Sequence, residues 1–214
     1  MQPGQSKAVI AVVDDDASVR QGLERLIRSL GWTAETFVSA QEFLARAWTE
    51  PPACIVLDLQ LPGVSGLDLQ KRMAEIGLKT PIVFLTGHGN IPSSVQAMKA
   101  GAIEFLTKPF DEQDLLRAIQ EAVERDLRAR EEHASKRDLQ RRYESLTTRE
   151  QEVMVQVISG RLNKQIAAEM SITEDTVKFH RGRIMRKMEA DSLADLVRMA
   201  QGLGIRSVER PAGF

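Results

Sequence analysis

The chain has 214 residues, a length that fits one large domain or two small ones. Apolar residues make up 43% and charged residues 28%, which is usual for folded globular proteins and excludes collagen-like, fibrous and wholly disordered classes. The net charge of -1 conceals an asymmetry, because residues 1–125 carry 12 Lys and Arg against 16 Asp and Glu, whereas residues 141–214 carry 13 against 10. The basic second half is therefore the better candidate for binding nucleic acid.

No segment has the pattern of a secretion signal or a membrane span. Met1–Lys7 lacks a basic-then-apolar signal, and Thr80–Met98, although uncharged, is too rich in Gly, Pro, Ser and Asn to cross a bilayer. Cys54 is the single cysteine, so the chain cannot form an internal disulfide bond. We predict a cytoplasmic protein that does not interact with a membrane.

In residues 1–125, short apolar segments alternate with segments of helical periodicity, which predicts an α/β domain with a five-stranded, doubly wound parallel sheet. The predicted strands are Ala8–Val13, Trp32–Phe37, Ala53–Leu57, Pro81–Leu85 and Ile103–Leu106. The predicted helices are Ser18–Leu30, Ser39–Ala47, Gly66–Ile76, Pro92–Ala100 and a longer helix that begins at Asp111.

Polar residues cluster at the carboxyl ends of the predicted strands, where open parallel sheets bind their ligands. An aspartate triplet follows the first strand, and the next residues in the cluster end the third, fourth and fifth strands: Asp14, Asp15, Asp16, Asp58, Thr86 and Lys108. Converging carboxylates suit a hard cation such as Mg²⁺, and a lysine and a hydroxyl suit phosphoryl oxygens. Each residue alone also fits a helix cap, a turn or a surface charge, but their shared position predicts one site.

The long helix from Asp111 contains no Gly or Pro before Arg142, which predicts a helical connector over residues 126–142. Its charged surface is typical of a solvated spacer, and a short coiled-coil contact is the alternative.

From Leu146 onward the pattern predicts an all-α domain of four helices, which are capped by Thr147, Asn163, Thr173 and Ser192. The third helix places apolar residues on one face: Val177, Ile184 and Met188. Its opposite face carries Lys178, Phe179, Gly182, Arg183 and Arg186. A short helix, a turn and a longer basic helix are typical of a helix-turn-helix that enters the major groove, although a solvated surface helix has a similar basic face.

Four motifs in the first half resemble the receiver domain of two-component response regulators across about residues 7–125. They are VVDDD at 12–16, IVLDLQLPGVSG at 55–66, FLTGHG at 84–89 and FLTKPF at 105–110. The resemblance implies that a sensor histidine kinase phosphorylates Asp58. It also implies that Asp15, Asp58 and the main-chain carbonyl of Gln60 hold Mg²⁺ directly, whereas Asp14 holds it through water. It further implies that Lys108 and Thr86 meet the phosphoryl oxygens and that Phe105 rotates inward behind them.

Four motifs in the second half resemble the LuxR-type DNA-binding domain across about residues 143–207. They are LTTRE at 146–150, NKQIA at 163–167, TVKFH at 176–180 and IMRKM at 184–188. The whole chain thus resembles a response regulator of the NarL/FixJ type, closest to the FixJ-like branch.

This second resemblance implies contacts for individual residues of the helical domain. Base edges would be faced by Lys178, Phe179 and Gly182, and phosphates would be met by Lys164, Arg183 and Arg186. The last helix would supply a dimer contact through Leu193, Leu196 and Val197. Gly182 stands where family members often carry a longer polar side chain.

The sequence therefore predicts a transcription regulator, not an enzyme, that dimerises when phosphorylated and binds a double-stranded DNA operator. One alternative is a Mg²⁺-dependent phosphohydrolase that resembles haloacid dehalogenases, but those enzymes carry a second aspartate where this chain has Gln60. The other alternative is a constitutive DNA-binding protein with a passive receiver, against which the full set of pocket residues argues.

Overall fold

The computed structural model describes residues 8–87 and 91–205 of the chain, which divides into two compact units, Met1–Ala129 and Arg130–Phe214. Three residues at the predicted domain limits, Lys7, Arg206 and Ser207, lie outside the described residues. Within the described part of the chain, none of the helices combines the length and the apolar character needed to cross a membrane.

The first unit is a parallel five-stranded sheet, as predicted, and its strand order is β2-β1-β3-β4-β5. Its strands are β1 (Val9–Val13), β2 (Thr33–Phe37), β3 (Cys54–Asp58), β4 (Ile82–Thr86) and β5 (Glu104–Thr107). The connecting helices are α1 (Ala17–Ser29), α2 (Ala40–Ala45), α3 (Gly66–Glu75), α4 (Ile91–Lys99) and α5 (Glu112–Glu144).

The register of the sheet aligns the carboxyl ends of the four strands that carry the predicted site. Val13 pairs with Leu57, Asp58 pairs with Leu85, and Thr86 pairs with Thr107. Because these partners are the last or next-to-last residues of their strands, the residues that follow emerge side by side at one edge.

Two apolar cores lie on opposite faces of this sheet because successive strand side chains point in opposite directions. Along β3, Ile55 and Leu57 enter one core, while Cys54 and Val56 enter the other. Both faces are covered by helices, so the three inner strands β1, β3 and β4 are largely apolar without polar alternation, whereas the edge strands β2 and β5 carry polar residues. Burial raises the pKa of the Cys54 thiol well above its usual range.

Helix α3 makes two close contacts that fix its neighbours. Gly66, its first residue, leaves so little room that a Cβ atom there would lie 2.5 Å from the carbonyl oxygen of Asp58. Gln70, one turn later, is buried, and its Nε2 donates to the carbonyl oxygens of Ala97 and Ala100, each at 3.3 Å. The Gln70 amide therefore caps the C-terminal end of α4 from a neighbouring helix.

The second unit contains α6 (Thr148–Ile158), α7 (Asn163–Met170), α8 (Glu174–Met188) and α9 (Leu193–Gly202). Ser171 ends α7 in the left-handed conformation, and the Thr173 hydroxyl then accepts a hydrogen bond from Thr176 N at 3.1 Å to start α8. This turn between a short and a longer helix is the predicted helix-turn-helix.

Two details of the second unit differ from the sequence-based expectations. The N-cap of α7 is Leu162, not Asn163, whose side-chain oxygen instead accepts from Arg181 Nη1 at 3.1 Å. The predicted connector over residues 126–142 is helical, but Leu139 and the adjacent Tyr143 pack against the core of the second unit. The last turns of α5 therefore contribute to that core and do not form a fully solvated spacer.

We expect Gly66→Ala to destabilise the first unit by about 1–3 kcal/mol, because its methyl group would collide with the Asp58 carbonyl and the Phe84 ring. The matched control is Gly22→Ala in α1, where nothing lies within 4 Å of the added atom. This control should stabilise the unit by about 0.5–1 kcal/mol. Urea unfolding followed by tryptophan fluorescence reports on this unit alone, since Trp32 and Trp48 are the only tryptophans. Equal midpoints for the two variants would contradict the steric argument.

Candidate functional sites

The acidic cluster forms a pocket at the carboxyl ends of β1 and β3. Carboxylate oxygens of Asp14, Asp15 and Asp58 lie within 4.8 Å of one another; Asp14 and Asp58 are buried, whereas Asp15 is exposed. Lys108, just past β5, bridges the two buried residues, because its Nζ donates to Asp14 Oδ2 at 2.6 Å and to Asp58 Oδ2 at 2.8 Å. The structure therefore brings together four of the predicted site residues.

The remaining oxygens of the two buried carboxylates organise the loops around the pocket. Asp14 Oδ1 accepts from Asp16 N at 2.8 Å, and Asp58 Oδ1 accepts from Gln60 N at 2.9 Å. Arg20 of α1 also donates from Nη1 to the carbonyl oxygen of Asp14 at 2.7 Å. Each buried carboxylate is thus hydrogen-bonded at both oxygens, which compensates the cost of burying its charge.

The three aspartates at positions 14–16 do not share one role, although the sequence alone leaves a helix cap and a binding site as alternatives for all of them. Asp14 and Asp15 belong to the pocket, whereas Asp16 is the N-cap of α1 and its Oδ1 accepts from Ser18 N at 2.7 Å. These backbone hydrogen bonds lower the pKa of the Asp16 carboxyl.

For both Asp14 and Lys108, burial and the contacts between them shift the pKa in opposite directions. Burial raises the pKa of Asp14, and the hydrogen bond from Lys108 offsets part of that rise. Burial lowers the pKa of Lys108, but hydrogen bonds to Asp14 and Asp58 outweigh it and raise this pKa above its ordinary value. Lys108 therefore stays positively charged at neutral pH and can hold anionic oxygens in the pocket.

The other predicted pocket residues lie beside this bridge. Thr86 is the last residue of β4 and is fully buried, and its carbonyl oxygen accepts from Lys108 N at 2.7 Å. Phe105 on β5 is partly buried, with its ring centroid 6.2 Å from that of Phe84. Gln60 is exposed, and its backbone N–H is the donor to Asp58 Oδ1 described above.

The outer face of α8 carries all five residues predicted for it, and each is exposed: Lys178, Phe179, Gly182, Arg183 and Arg186. The apolar residues of the same helix, Val177, Ile184 and Met188, are buried as predicted. Lys164 is exposed on α7. Lys178 forms an ion pair with Asp175 at 3.0 Å, and this contact raises the pKa of Lys178.

A buried carboxylate, Glu150, joins helices α6 and α8, and the sequence did not reveal its two ion pairs. Its side chain is only 1% exposed and accepts hydrogen bonds from Thr147 N at 2.9 Å and Lys187 Nζ at 2.7 Å. It also forms an ion pair with Arg183, whose Nε lies 3.1 Å from Glu150 Oε1. Burial raises the pKa of Glu150, but these contacts outweigh burial and lower it from 4.5 to about 2. The Thr147–Glu150 spacing is a capping-box signal, whereas its two ion pairs join residues distant in the sequence.

The three residues of helix α9 that were predicted to form a dimer contact differ in their exposure. Leu193 is 41% exposed and Val197 is partly buried, but Leu196 is 1% exposed and lies in the core of its own unit. Leu196 is therefore a core residue of its own unit, because it lies on the face of α9 that packs against the other helices.

Comparison with protein families identifies both units. Residues 10–120 match the response regulator receiver domain, and residues 144–200 match the bacterial regulatory proteins of the luxR family. The chain therefore belongs to the two-component response regulators that carry a LuxR-type DNA-binding domain. This is a family of transcription regulators and not of enzymes, as the sequence predicted.

Individual relatives match over nearly the whole chain. Nodulation protein W of Bradyrhizobium diazoefficiens is 48% identical over 200 residues, which cover 94% of this chain and 88% of that protein. The transcriptional regulatory protein FixJ of the same organism is 40% identical over 200 residues, covering 94% and 98%. The solved structure of the response regulator StyR is 48% identical with a TM-score of 0.85, covering 92% of this chain and 99% of that one.

We expect Glu150→Gln to destabilise the helical unit at neutral pH by on the order of 2–3 kcal/mol and to remove a pH dependence. Because the folded pKa of Glu150 is depressed, its contribution is complete above about pH 5 and is lost as the pH falls to about 2. Hydrogen exchange of peptides from α6 and α8 across this range measures the effect.

The matched control for this test is Glu152→Gln, because Glu152 lies on the same helix but is exposed and pairs only at the surface with Arg149. This variant should keep the pH dependence of the unmodified chain. The same loss of protection with falling pH in Glu150→Gln would contradict the role given to the buried carboxylate.

Proposed function

We propose that the pocket of Asp14, Asp15, Asp58 and Lys108 accepts a phosphoryl group on Asp58 from a sensor histidine kinase, and that this switches DNA binding by the helical unit. The observation that carries the proposal is the ammonium group of Lys108, which lies within 2.8 Å of an Asp58 oxygen. A lysine held there by two carboxylates is placed to receive the oxygens of a phosphoryl group. The proposed domains are 7–125, the connector 126–142 and 143–207.

The pocket has the acidic donor set that is typical of a Mg²⁺ site, and we propose Mg²⁺ as its cation. Three carboxylates with oxygens within 4.8 Å of one another form a hard, all-oxygen ligand set. Asp15 and Asp58 would bind the ion directly, with the main-chain carbonyl of Gln60, and Asp14 would act through water. When bound, Mg²⁺ neutralises the charge on the transferred phosphoryl oxygens.

The chemical step belongs to Asp58. A carboxylate oxygen of Asp58 bonds to phosphorus while the bond from phosphorus to the kinase histidine breaks, and the imidazole nitrogen keeps that electron pair. Lys108 then pairs with the phosphoryl oxygens, and the Thr86 hydroxyl donates to one of them. The phosphoryl group adds close to two negative charges and three strong acceptors beside a lysine that already bridges two carboxylates.

This charge change supports a rearrangement of the face formed by α4, β5 and α5. Thr86 and Lys108 lie at the ends of strands next to that face, and Phe105 would rotate inward as Thr86 moves. Helix α4 exposes three large apolar residues, namely Ile91 at 79%, Val95 at 45% and Met98 at 44%. An exposed apolar surface of this kind fits a second copy of the chain, so we propose dimerisation through it.

The helical unit supplies the DNA contact. Helix α8 would enter the major groove with Lys178, Phe179 and Gly182 towards base edges, while Lys164, Arg183 and Arg186 meet phosphates. Leu193 and Val197 would contribute to a dimer contact along α9, so that the two copies bind the two halves of an operator. A regulator of this kind acts on DNA in the cytoplasm.

We expect the chain to gain one phosphoryl group when it is incubated with Mg²⁺ and a small acyl-phosphate donor, and we expect Asp58→Asn to gain none. Intact mass measures the addition, and sedimentation in the same mixture should show a monomer-to-dimer shift for the unmodified chain but not for Asp58→Asn. Asp68→Asn is the matched control, because Asp68 is an exposed acid in the first turn of α3, bonded to Ser65 and outside the pocket. It should behave like the unmodified chain.

Addition to Asp58→Asn as well would contradict this assignment. Repeated turnover of the acyl-phosphate donor without dimerisation would favour the phosphohydrolase alternative. DNA binding that is equally tight with and without phosphorylation would favour the alternative of a passive receiver.

We expect Lys164→Ala and Arg186→Ala each to weaken binding to a short duplex of random sequence and to reduce the slope of log K against log salt by about 1 per phosphate contact. Titrations at several salt concentrations measure the slope. Arg198→Ala on α9 is the control, since its side chain is exposed but pairs with Asp195 away from α8. An unchanged slope in all three variants would contradict the phosphate contacts.

A further inference from the structure

Phe179 has a position that the proposed charge contacts do not explain. It is a large aromatic residue in the middle of the basic face of α8, and 60% of it is exposed. A phenyl ring has no hydrogen-bonding group, so it cannot read the donors and acceptors of a base edge. On a surface proposed to face DNA, an exposed aromatic ring gains free energy only by removing its apolar surface from water against an apolar group.

The ring is held from behind by charged residues of its own unit. The guanidinium carbon of Arg183 lies 5.6 Å from the centroid of the Phe179 ring, and Arg183 Nε is 3.1 Å from Glu150 Oε1. Glu150 is buried and also accepts a hydrogen bond from Thr147 N, so its carboxylate is fixed in place. This carboxylate holds the Arg183 guanidinium, which in turn lies against the exposed ring. Arg183 is therefore a positioning residue that limits the motion of Phe179.

The backbone next to the ring is accessible because it belongs to an exposed glycine. Gly182 lies one turn after Phe179 on the same face, and a Cβ atom there would meet nothing within 4 Å. The free protein therefore has no steric need for glycine, although a glycine inside a helix costs about 1 kcal/mol relative to alanine. A glycine at this point lets the helix approach a surface closely and leaves the neighbouring aromatic ring as the most prominent side chain.

We propose that Phe179 determines operator specificity by packing against the 5-methyl group of a thymine in the major groove, with Arg183 and Glu150 holding its ring in place. The proposal rests on the proposed entry of α8 into that groove. Thymine is the one base of unmodified DNA that presents a methyl group there, and phenylalanine is among the side chains that contact it. Specificity at this position is then apolar, and Gly182 provides the space for the contact.

The test removes the methyl group without changing any hydrogen bond. A duplex is first enriched from a random-sequence pool by the full chain in the presence of Mg²⁺ and an acyl-phosphate donor. Each thymine is then replaced singly by uracil, and affinities are measured for the unmodified chain and for Phe179→Ala. We expect uracil at one position of each half-site to weaken the unmodified chain about fourfold, as for the loss of one buried methyl-sized group.

Phe179→Ala should bind the thymine and uracil duplexes equally, whereas Phe179→Leu should keep part of the discrimination because its side chain is still apolar. Leu162→Ala is the matched control, since Leu162 is 69% exposed in the same unit but lies outside α8. It should keep the full thymine preference. Arg183→Ala should reduce the thymine preference, because the ring then loses the guanidinium that holds it.

Two results would overturn the proposal: no uracil position that weakens the unmodified chain, or the same uracil profile in Phe179→Ala. Failure of the proposed function gives a different result, because then Lys178→Ala, Arg186→Ala and Phe179→Ala would all leave affinity for the enriched duplex unchanged. Discrimination that is lost in Leu162→Ala as well would also count against a specific contact by Phe179.

Discussion

The ammonium group of Lys108 between the carboxylates of Asp14 and Asp58 is the interaction on which the first unit's site depends. Two buried carboxylates repel each other, and each would be costly to bury without a nearby positive charge. The lysine reaches both because the parallel register places the ends of β1, β3 and β5 at one edge. Any cation or phosphoryl group that enters the pocket must therefore change an existing balance of charge, which links chemistry at Asp58 to the ends of three strands.

The helical unit uses the opposite arrangement, with one buried carboxylate between two cations. Glu150 joins the start of α6 to the last turns of α8, and its Thr147 contact also completes the cap of α6. One side chain thus sets a helix start and the orientation of the helix proposed to meet DNA. In both units, the opposite charges that stabilise a buried carboxylate come from distant parts of the chain, while a neighbouring backbone N–H donates a further hydrogen bond.

The sequence was sufficient for the features that depend on local patterns. The order and periodicity of the strands, the helix starts at Thr147, Thr173 and Ser192, and the acidic edge all follow from neighbouring residues. Features set by distant partners could not be predicted, such as the ion pairs of Glu150 and the docking of Leu139 on the second core. The burial of Leu196 was also not predicted. A dimer contact inferred from the family does not indicate which residues of α9 pack in the core of the same domain.

Four of the five basic residues of α8 are already engaged within the protein: Lys178 with Asp175, Arg181 with Asn163, and Arg183 and Lys187 with Glu150. Asp175 and Glu150 therefore neutralise part of the helix's positive charge before any DNA arrives, whereas the neutral amide of Asn163 leaves the charge of Arg181 in place. Electrostatic attraction to arbitrary sequence is then weaker than the number of basic residues suggests, so the dwell time on non-operator DNA should be shortened. Rapid release from wrong sites favours a fast search, and it leaves the choice of the correct site to close contact with the bases.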